Sequence, residues 1–135
     1  MRITLSPMLG DFQRLADALA AFARQQSLPE RQHYRMRLAA EELFANLVEH
    51  ADLSAGDRIT VQACDLSGLV RLVVTDTAAP FDPTRCDTCP RTSPVEPGGV
   101  GLCVLRSISD RLDYRRVDDT NETTVVIMRT ERDDD

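Results

Sequence analysis

Residues 57–76, DRITVQACDLSGLVRLVVTD, constrain the fold more than any other stretch of the chain. Two runs rich in Ile, Val, Thr and Leu flank Ser67-Gly68, a two-residue turn signal, and so read as a β-hairpin. A hairpin leaves an apolar face that another layer must cover. The chain supplies that layer at helical period. Phe12, Leu15, Leu19 and Phe22 form one stripe in residues 9–26. Met36, Ala40, Leu43, Phe44 and Leu47 form another between residue 30 and about Ala51. Ser27 and Glu30 in SLPE match a capping box that would start this second helix, with Pro29 in its first turn. RITLS (2–6) reads as a short strand. Residues 77–97 hold five of the seven prolines and no periodicity, which predicts a long loop. A third helix is expected after GGVG, ending near Asp110, and LDYRRV and TTVVIMR then pair around a turn at Asp118–Asn121. The order β-α-α-β-β-loop-α-β-β predicts an α/β two-layer sandwich, one mixed, mostly antiparallel sheet with its helices on one face.

A chain of 135 residues, 42% hydrophobic, suits one domain (1–135) able to bury a core, with an acidic tail at 131–135. No apolar run approaches the ~18–20 residues of a membrane span, and MRITLSPMLG lacks a signal-peptide core, so the expectation is a cytoplasmic protein with no membrane partner. The net charge of −6 argues against nucleic acid as the partner. All sixteen basic residues are arginine. Without lysine there is no P-loop, no kinase strand lysine and no Schiff base. Any nucleotide phosphates would have to be held by backbone N–H groups, arginine or a metal. Cys86 and Cys89 form a C-x-x-C, which is half a zinc site, a redox pair or a coincidence. No second C-x-x-C or paired His completes four zinc ligands.

Three segments carry chemistry. In EELFANLVEH (41–50), Glu42, Asn46 and Glu49 fall within roughly a 60° sector of the second helix. That is either an ordinary solvated face or a carboxylate and a carboxamide arranged as a base and a metal ligand. In VVTDTAAPFDP (73–83), Asp76 ends a strand that reads as buried. It is either a turn residue or an acceptor for the exocyclic amine of adenine. In PGGVGLCVLRSISD (97–110), three glycines run into a helix, whose free first-turn N–H groups suit an anion.

E-L-F-A-N, D-T-A-A-P-F-D-P and G-G-V-G-L, in that order, resemble the N, G1 and G2 boxes of the GHKL ATPases, which include gyrase, heat-shock chaperones, histidine kinases and mismatch-repair proteins. Within that superfamily, EELFANLVEHA, PFDP and GGVGLCVLRSISDRLDYRR look most like the bacterial anti-sigma-factor serine kinases, over roughly residues 10–130. The resemblance implies ATP and Mg²⁺ as cofactors. It implies Asn46 as Mg²⁺ ligand, Glu42 as general base and Asp76 as the adenine reader. Ala78, Gly98, Gly99, Val100, Gly101, Leu102 and Thr123 complete the nucleotide site, Thr123 acting through Asp76, with an ATP lid over about residues 84–97. His50 matches a histidine of the N box without assigned chemistry. The implied partners are an anti-anti-sigma protein of STAS fold, phosphorylated on serine or threonine, and a sigma factor or other regulator that is sequestered. The kinase is expected as a homodimer. Two positions depart from the pattern: Ala78 and Glu122 stand where the family usually has glycine. If position 78 needs positive φ, alanine costs roughly 1–2 kcal/mol. If it does not, only one methyl group is added beside the purine.

A nucleotide-binding module that sequesters without phosphotransfer is the first competing reading. A histidine-kinase ATP-binding domain would need a phosphoacceptor helix pair, for which the region before Glu42 is short. The remaining alternative is a small structural domain with coincidental motifs.

Overall fold

A computed structural model describes residues 1–85 and 99–129. Its elements are β1 (Arg2–Leu5), α1 (Phe12–Gln25), α2 (Glu30–His50), β2 (Ile59–Asp65), β3 (Leu69–Asp76), α3 (Gly99–Ile108), β4 (Arg111–Val117) and β5 (Thr120–Met128), with short 3₁₀ turns at Leu9–Asp11 and Pro83–Arg85. The five strands form one sheet in the order β1-β2-β3-β5-β4, antiparallel at every pairing.

Alternation along the strands decides which face is covered. Ile59, Val61 and Ala63 of β2, Val70, Leu72 and Val74 of β3, and Val125 and Ile127 of β5 all point to one side. There they join Leu15, Leu19 and Phe22 of α1, Met36, Ala40, Leu43 and Phe44 of α2, and Leu102 and Leu105 of α3 in one core. Phe12 and Phe44 meet edge to face, 5.7 Å between centroids, locking α1 to α2. The opposite face, with Thr60, Arg71, Thr75 and Glu122, is left to solvent. The sandwich with helices on one face is therefore as expected. No helix among the described residues is long and apolar enough to cross a membrane.

The Ser67-Gly68 turn forms as its sequence requires. Both residues take positive φ (57° and 91°), and Leu66 and Leu69 exchange backbone hydrogen bonds across it. The expected capping box does not form. Ser27 instead takes φ 52° and closes α1, its N–H donating to Arg24 O (3.2 Å) and that of Leu28 to Ala23 O (2.9 Å). These two bonds satisfy the last carbonyls of α1 in a Schellman motif. With Ser27 committed to the preceding helix, α2 starts after Pro29 with no side-chain cap. Helix α3 also begins earlier than expected, inside the glycine run at Gly99. Asn121, expected in a turn, belongs to β5, and the β4–β5 turn is made by Asp118 (φ 53°) and Asp119.

The first turns of α2 are fastened to one end of the sheet. Gln32 is fully buried, and its Nε2 donates to Gly68 O and Ile127 O, both at 3.0 Å. Arg35 Nη2 donates to Met128 O at 2.7 Å. The other end of the sheet, where β3 ends and β5 begins, faces the last turns of α2. Among residues expected in special roles, Gly98, Cys86, Cys89, the lid from 86 to 97 and the tail 131–135 lie outside the described residues.

Candidate functional site

Asn46 lies three residues after the buried Leu43 and one before Leu47, which packs against the core, so it sits at the edge of the apolar stripe of α2. Its side chain turns into a cavity of about 330 Å³ between α2, the end of β3 and the start of α3. That volume is within the range of small-ligand sites. Glu42, one turn earlier, is half-buried and does not line the cavity. It stands at the α2–α3 seam, where a Cβ built on Gly101 would overlap its Oε2. The polar side of α2 is thus partly covered by α3 rather than free in solvent. Glu49 is the member that is only solvated: its carboxylate is more than half exposed and lies 3.5 Å from His50 Nε2. His50 lines the cavity rim together with Asp52.

Asp76 ends β3 at an inward position and is buried, 5% exposed. Its Oδ1 accepts the Ala78 N–H at 2.9 Å, an Asx turn that folds the chain back beside the strand. Oδ1 also accepts Asn121 Nδ2 at 2.9 Å. No hydrogen bond from a described residue reaches Oδ2. Asn121 sits directly across the ladder from Asp76 and is 3% exposed. Its Nδ2 also reaches Ala78 O (3.2 Å) and Ala79 O (3.1 Å), while its Oδ1 accepts from the Tyr114 hydroxyl and from Arg116 Nη1 (3.1 Å). Arg116 Nη1 donates to Ala78 O as well, at 2.7 Å. The segment after Asp76 is therefore tied to β4 and β5 by side chains.

The cavity brings together Asn46, Asp76, Ala78, Leu102 and Thr123 from the sequence-derived set. Thr123, opposite Val74, lines the wall, but the side chain that bonds Asp76 is that of Asn121. Gly99, Val100 and Gly101 form the first turn of α3, whose N–H groups have no partner within the helix. Ala78 has no positive φ, so alanine in place of glycine strains nothing there and adds only its methyl to the wall. Glu122 points to the open sheet face and pairs with Arg115 at 2.9 Å. Sequence reasoning missed Asn121, Arg116 and Tyr114. The available signal was parity: 121 shares the inward register of 123, 125 and 127.

The two displaced titrations on α2 lie away from the cavity lining. His33 is lowered, first by burial, then by Arg37 and Arg24, with Glu30 opposing. Glu41 is raised by burial, against Arg37, with Glu42 adding to the rise.

In chemical terms the cavity is a largely apolar slot, walled by Val74, Leu102 and Ala78, with one open carboxylate oxygen at its inner end and a carboxamide on α2. It suits a flat group with apolar faces and a donor on its edge. Asn46 fits a divalent cation of the Mg²⁺ type, which takes one or two protein ligands and completes its shell from phosphates and water. The described residues contain no group of three His, Cys, Asp or Glu that could hold a metal ion.

The histidine kinase-like ATPase domain family matches residues 5–130 of the chain. No curated protein matches it significantly. Among solved structures, the RsbU and RsbW domains of Rv1364c from Mycobacterium tuberculosis superpose with a TM-score of 0.66 at 14% identity, over 95% of this chain and 32% of that one. The catalytic domain of histidine kinase ThkA gives 0.57 at 12% identity, over 96% and 98%. The histidine kinase domain of a blue-light activated histidine kinase from Erythrobacter litoralis gives 0.54 at 18%, over 77% and 48%. The chain thus spans about a third of the first neighbour's length. At these identities the likeness is one of fold.

Proposed function

Because the chain belongs to the histidine kinase-like ATPase domain family, we propose that it is an ATP- and Mg²⁺-dependent protein serine/threonine kinase of the anti-sigma type. It phosphorylates a STAS-fold anti-anti-sigma partner and, released from it, sequesters a sigma factor or another regulator, acting in the cytoplasm as a homodimer. The observation that carries the nucleotide part is the open Oδ2 of buried Asp76, at the end of an apolar slot faced by Asn46. The kinase and partner parts are supported by the E-L-F-A-N and P-G-G-V-G-L segments, and by the RsbW domain in the Rv1364c neighbour.

In this reading Asp76 accepts a hydrogen bond from the adenine amine, and Val74, Ala78 and Leu102 enclose the ring. The first-turn N–H groups of α3, from Gly99 to Gly101, meet phosphate oxygens. Asn46 would hold Mg²⁺, which would supply neutralisation of the phosphate charge. Glu42 takes the proton of the serine or threonine hydroxyl as that oxygen bonds the γ-phosphorus and the bond to the departing ADP oxygen breaks. Added phosphate charge of about −1.5 to −2 then breaks the contact with the partner by repulsion and desolvation.

The sequestration module without transfer stays the second reading, favoured by one observation. The Glu42 carboxylate lies against Gly101 and not in the cavity lining. One experiment separates the two. Glu42→Ala should keep ATP and partner binding while transfer to a STAS partner, read by mass shift, falls by roughly 10²–10⁴. Asn46→Ala should lose Mg-ATP binding as well. A wild-type protein that binds ATP and the partner yet phosphorylates nothing removes the kinase. A wild-type protein that binds no ATP removes both readings.

A further inference from the structure

We infer that Asn121 is the positioning residue of the cavity: it fixes the orientation in which the Asp76 carboxylate offers its free oxygen to a ligand, and so makes the cavity selective for a group that carries a donor. The inference rests on the reading of Asp76 as acceptor for the adenine amine, and adds to it a residue that no sequence motif marks.

The amide orientation of Asn121 is settled by its neighbours. Nδ2 lies among three acceptors, Asp76 Oδ1, Ala78 O and Ala79 O, while Oδ1 is met by two donors, Tyr114 Oη and Arg116 Nη1. A flipped amide would set oxygen against three oxygens and its NH2 against the Arg116 guanidinium, which can only donate. Asn121 is therefore a fixed donor toward Asp76.

Its effect on Asp76 follows from lone-pair counting. Oδ1 accepts from Asn121 Nδ2 and from the Ala78 N–H, both at 2.9 Å, which fills its two in-plane directions. Among the described residues nothing engages Oδ2, which is left as the oxygen of Asp76 available to a ligand. The same side chain also occupies the carbonyls of Ala78 and Ala79, helped by Arg116 Nη1 on Ala78 O. Two acceptors beside the carboxylate are thereby already engaged. Without Asn121 the carboxylate can turn about χ2 and these carbonyls lose a donor. The ordered acceptor then becomes a diffuse one, and the ligand's amine gains less from it.

The test compares ATP with purine riboside triphosphate, which lacks only the exocyclic amine, by calorimetry on the full chain. Wild type should prefer ATP by at least about tenfold. In Asn121→Ala the ATP affinity should fall so that this preference shrinks to about threefold or less, while affinity for the amine-free analogue changes little. Asn121→Thr keeps a good strand residue and shortens the side chain below the reach of Asp76, so it gives the same readout should the alanine variant fail to fold. A merely structural role for Asn121 would weaken both nucleotides together. A wild-type preference that survives in the folded variants overturns the role of Asn121 and leaves Asp76 as reader. Equal affinity of wild type for the two nucleotides overturns the amine reading, and the role of Asn121 with it.

Discussion

Replacing Gly101 by alanine sets two effects of known size against each other. Alanine is better than glycine in a helix by about 0.8–1.0 kcal/mol. Against that, the new Cβ would overlap Glu42 Oε2 and lie 3.5 Å from Glu42 Cδ. Only the far end of a flexible, half-buried side chain is in the way, so it moves at a cost on the order of 0.5–1.5 kcal/mol. The two nearly cancel, and Gly101→Ala alone should leave stability within about 0.5 kcal/mol of wild type. In a Glu42→Ala background nothing opposes the new methyl, and the same change should stabilise by about 0.8–1.0 kcal/mol. Urea unfolding of the four proteins of this cycle measures the coupling, expected at roughly 0.5–1.5 kcal/mol. A coupling below about 0.3 kcal/mol refutes the placement of the carboxylate against Gly101. Under the kinase reading, Gly101→Ala should also slow transfer by about tenfold or more, because it dislodges the base without deleting it.

Ser27→Gly should stabilise the protein. It relieves a left-handed serine worth about 1–2 kcal/mol and returns part of that as unfolded-chain entropy, for a net gain on the order of 0.5–1 kcal/mol. Thermal melting should rise by about 2–4 °C, and a fall would contradict the Schellman closure of α1. Asp76→Asn can turn an amine toward the ligand where an acceptor is needed, and should weaken ATP binding at least about tenfold, or ~1.4 kcal/mol; unchanged affinity in a folded variant removes the base-reading role. The lowered pKa of His33 means that the unfolded chain binds more protons between the folded-state pKa and the ordinary value of 6.5. Stability should therefore drop as pH falls from 6.5 toward the folded-state pKa, less steeply in His33→Asn, and identical pH profiles by urea unfolding would rule this out.

Periodicity made the layers of the fold legible, because apolar stripes at two different periods can only be reconciled by stacking helices on a sheet. The hairpin was legible for a local reason: Ser67-Gly68 tolerates positive φ, and the strands on both sides agree with it. Ser27 shows where local reading stops. The same hydroxyl residue suits the start of one helix and the end of another, and the choice depended on carbonyls at Ala23 and Arg24 that no four-residue window includes. Asn46 could be picked out because it lies between Ala45 and Leu47 on a helix, and Asp76 because it closes a Val- and Leu-rich strand. Asn121 carried only a weak signal, its inward parity with 123, 125 and 127, in a TNETT run that resembles any turn followed by a strand. Its importance comes from a ladder partner 45 residues away. The standing of Ala78 likewise depended on a backbone angle, which composition does not disclose.

Gln32 and Arg35 give α2 a fixed end. From Gln32 to Asn46 the helix runs fourteen residues, about 21 Å at ~1.5 Å per residue. Up to that point α2 is a rigid arm fastened by hydrogen bonds at one end of the sheet and held by apolar packing toward the other. Apolar contacts slide more readily than hydrogen bonds break, so any tilt of the arm would pivot near Gln32. A tilt of about 3° there carries Asn46 roughly 1 Å relative to Asp76. The gap between Asn46 and Asp76 across the cavity is thus geared to a side chain at the far end of the sheet. Loosening Gln32 would change how firmly that gap is set without touching a single group in the cavity.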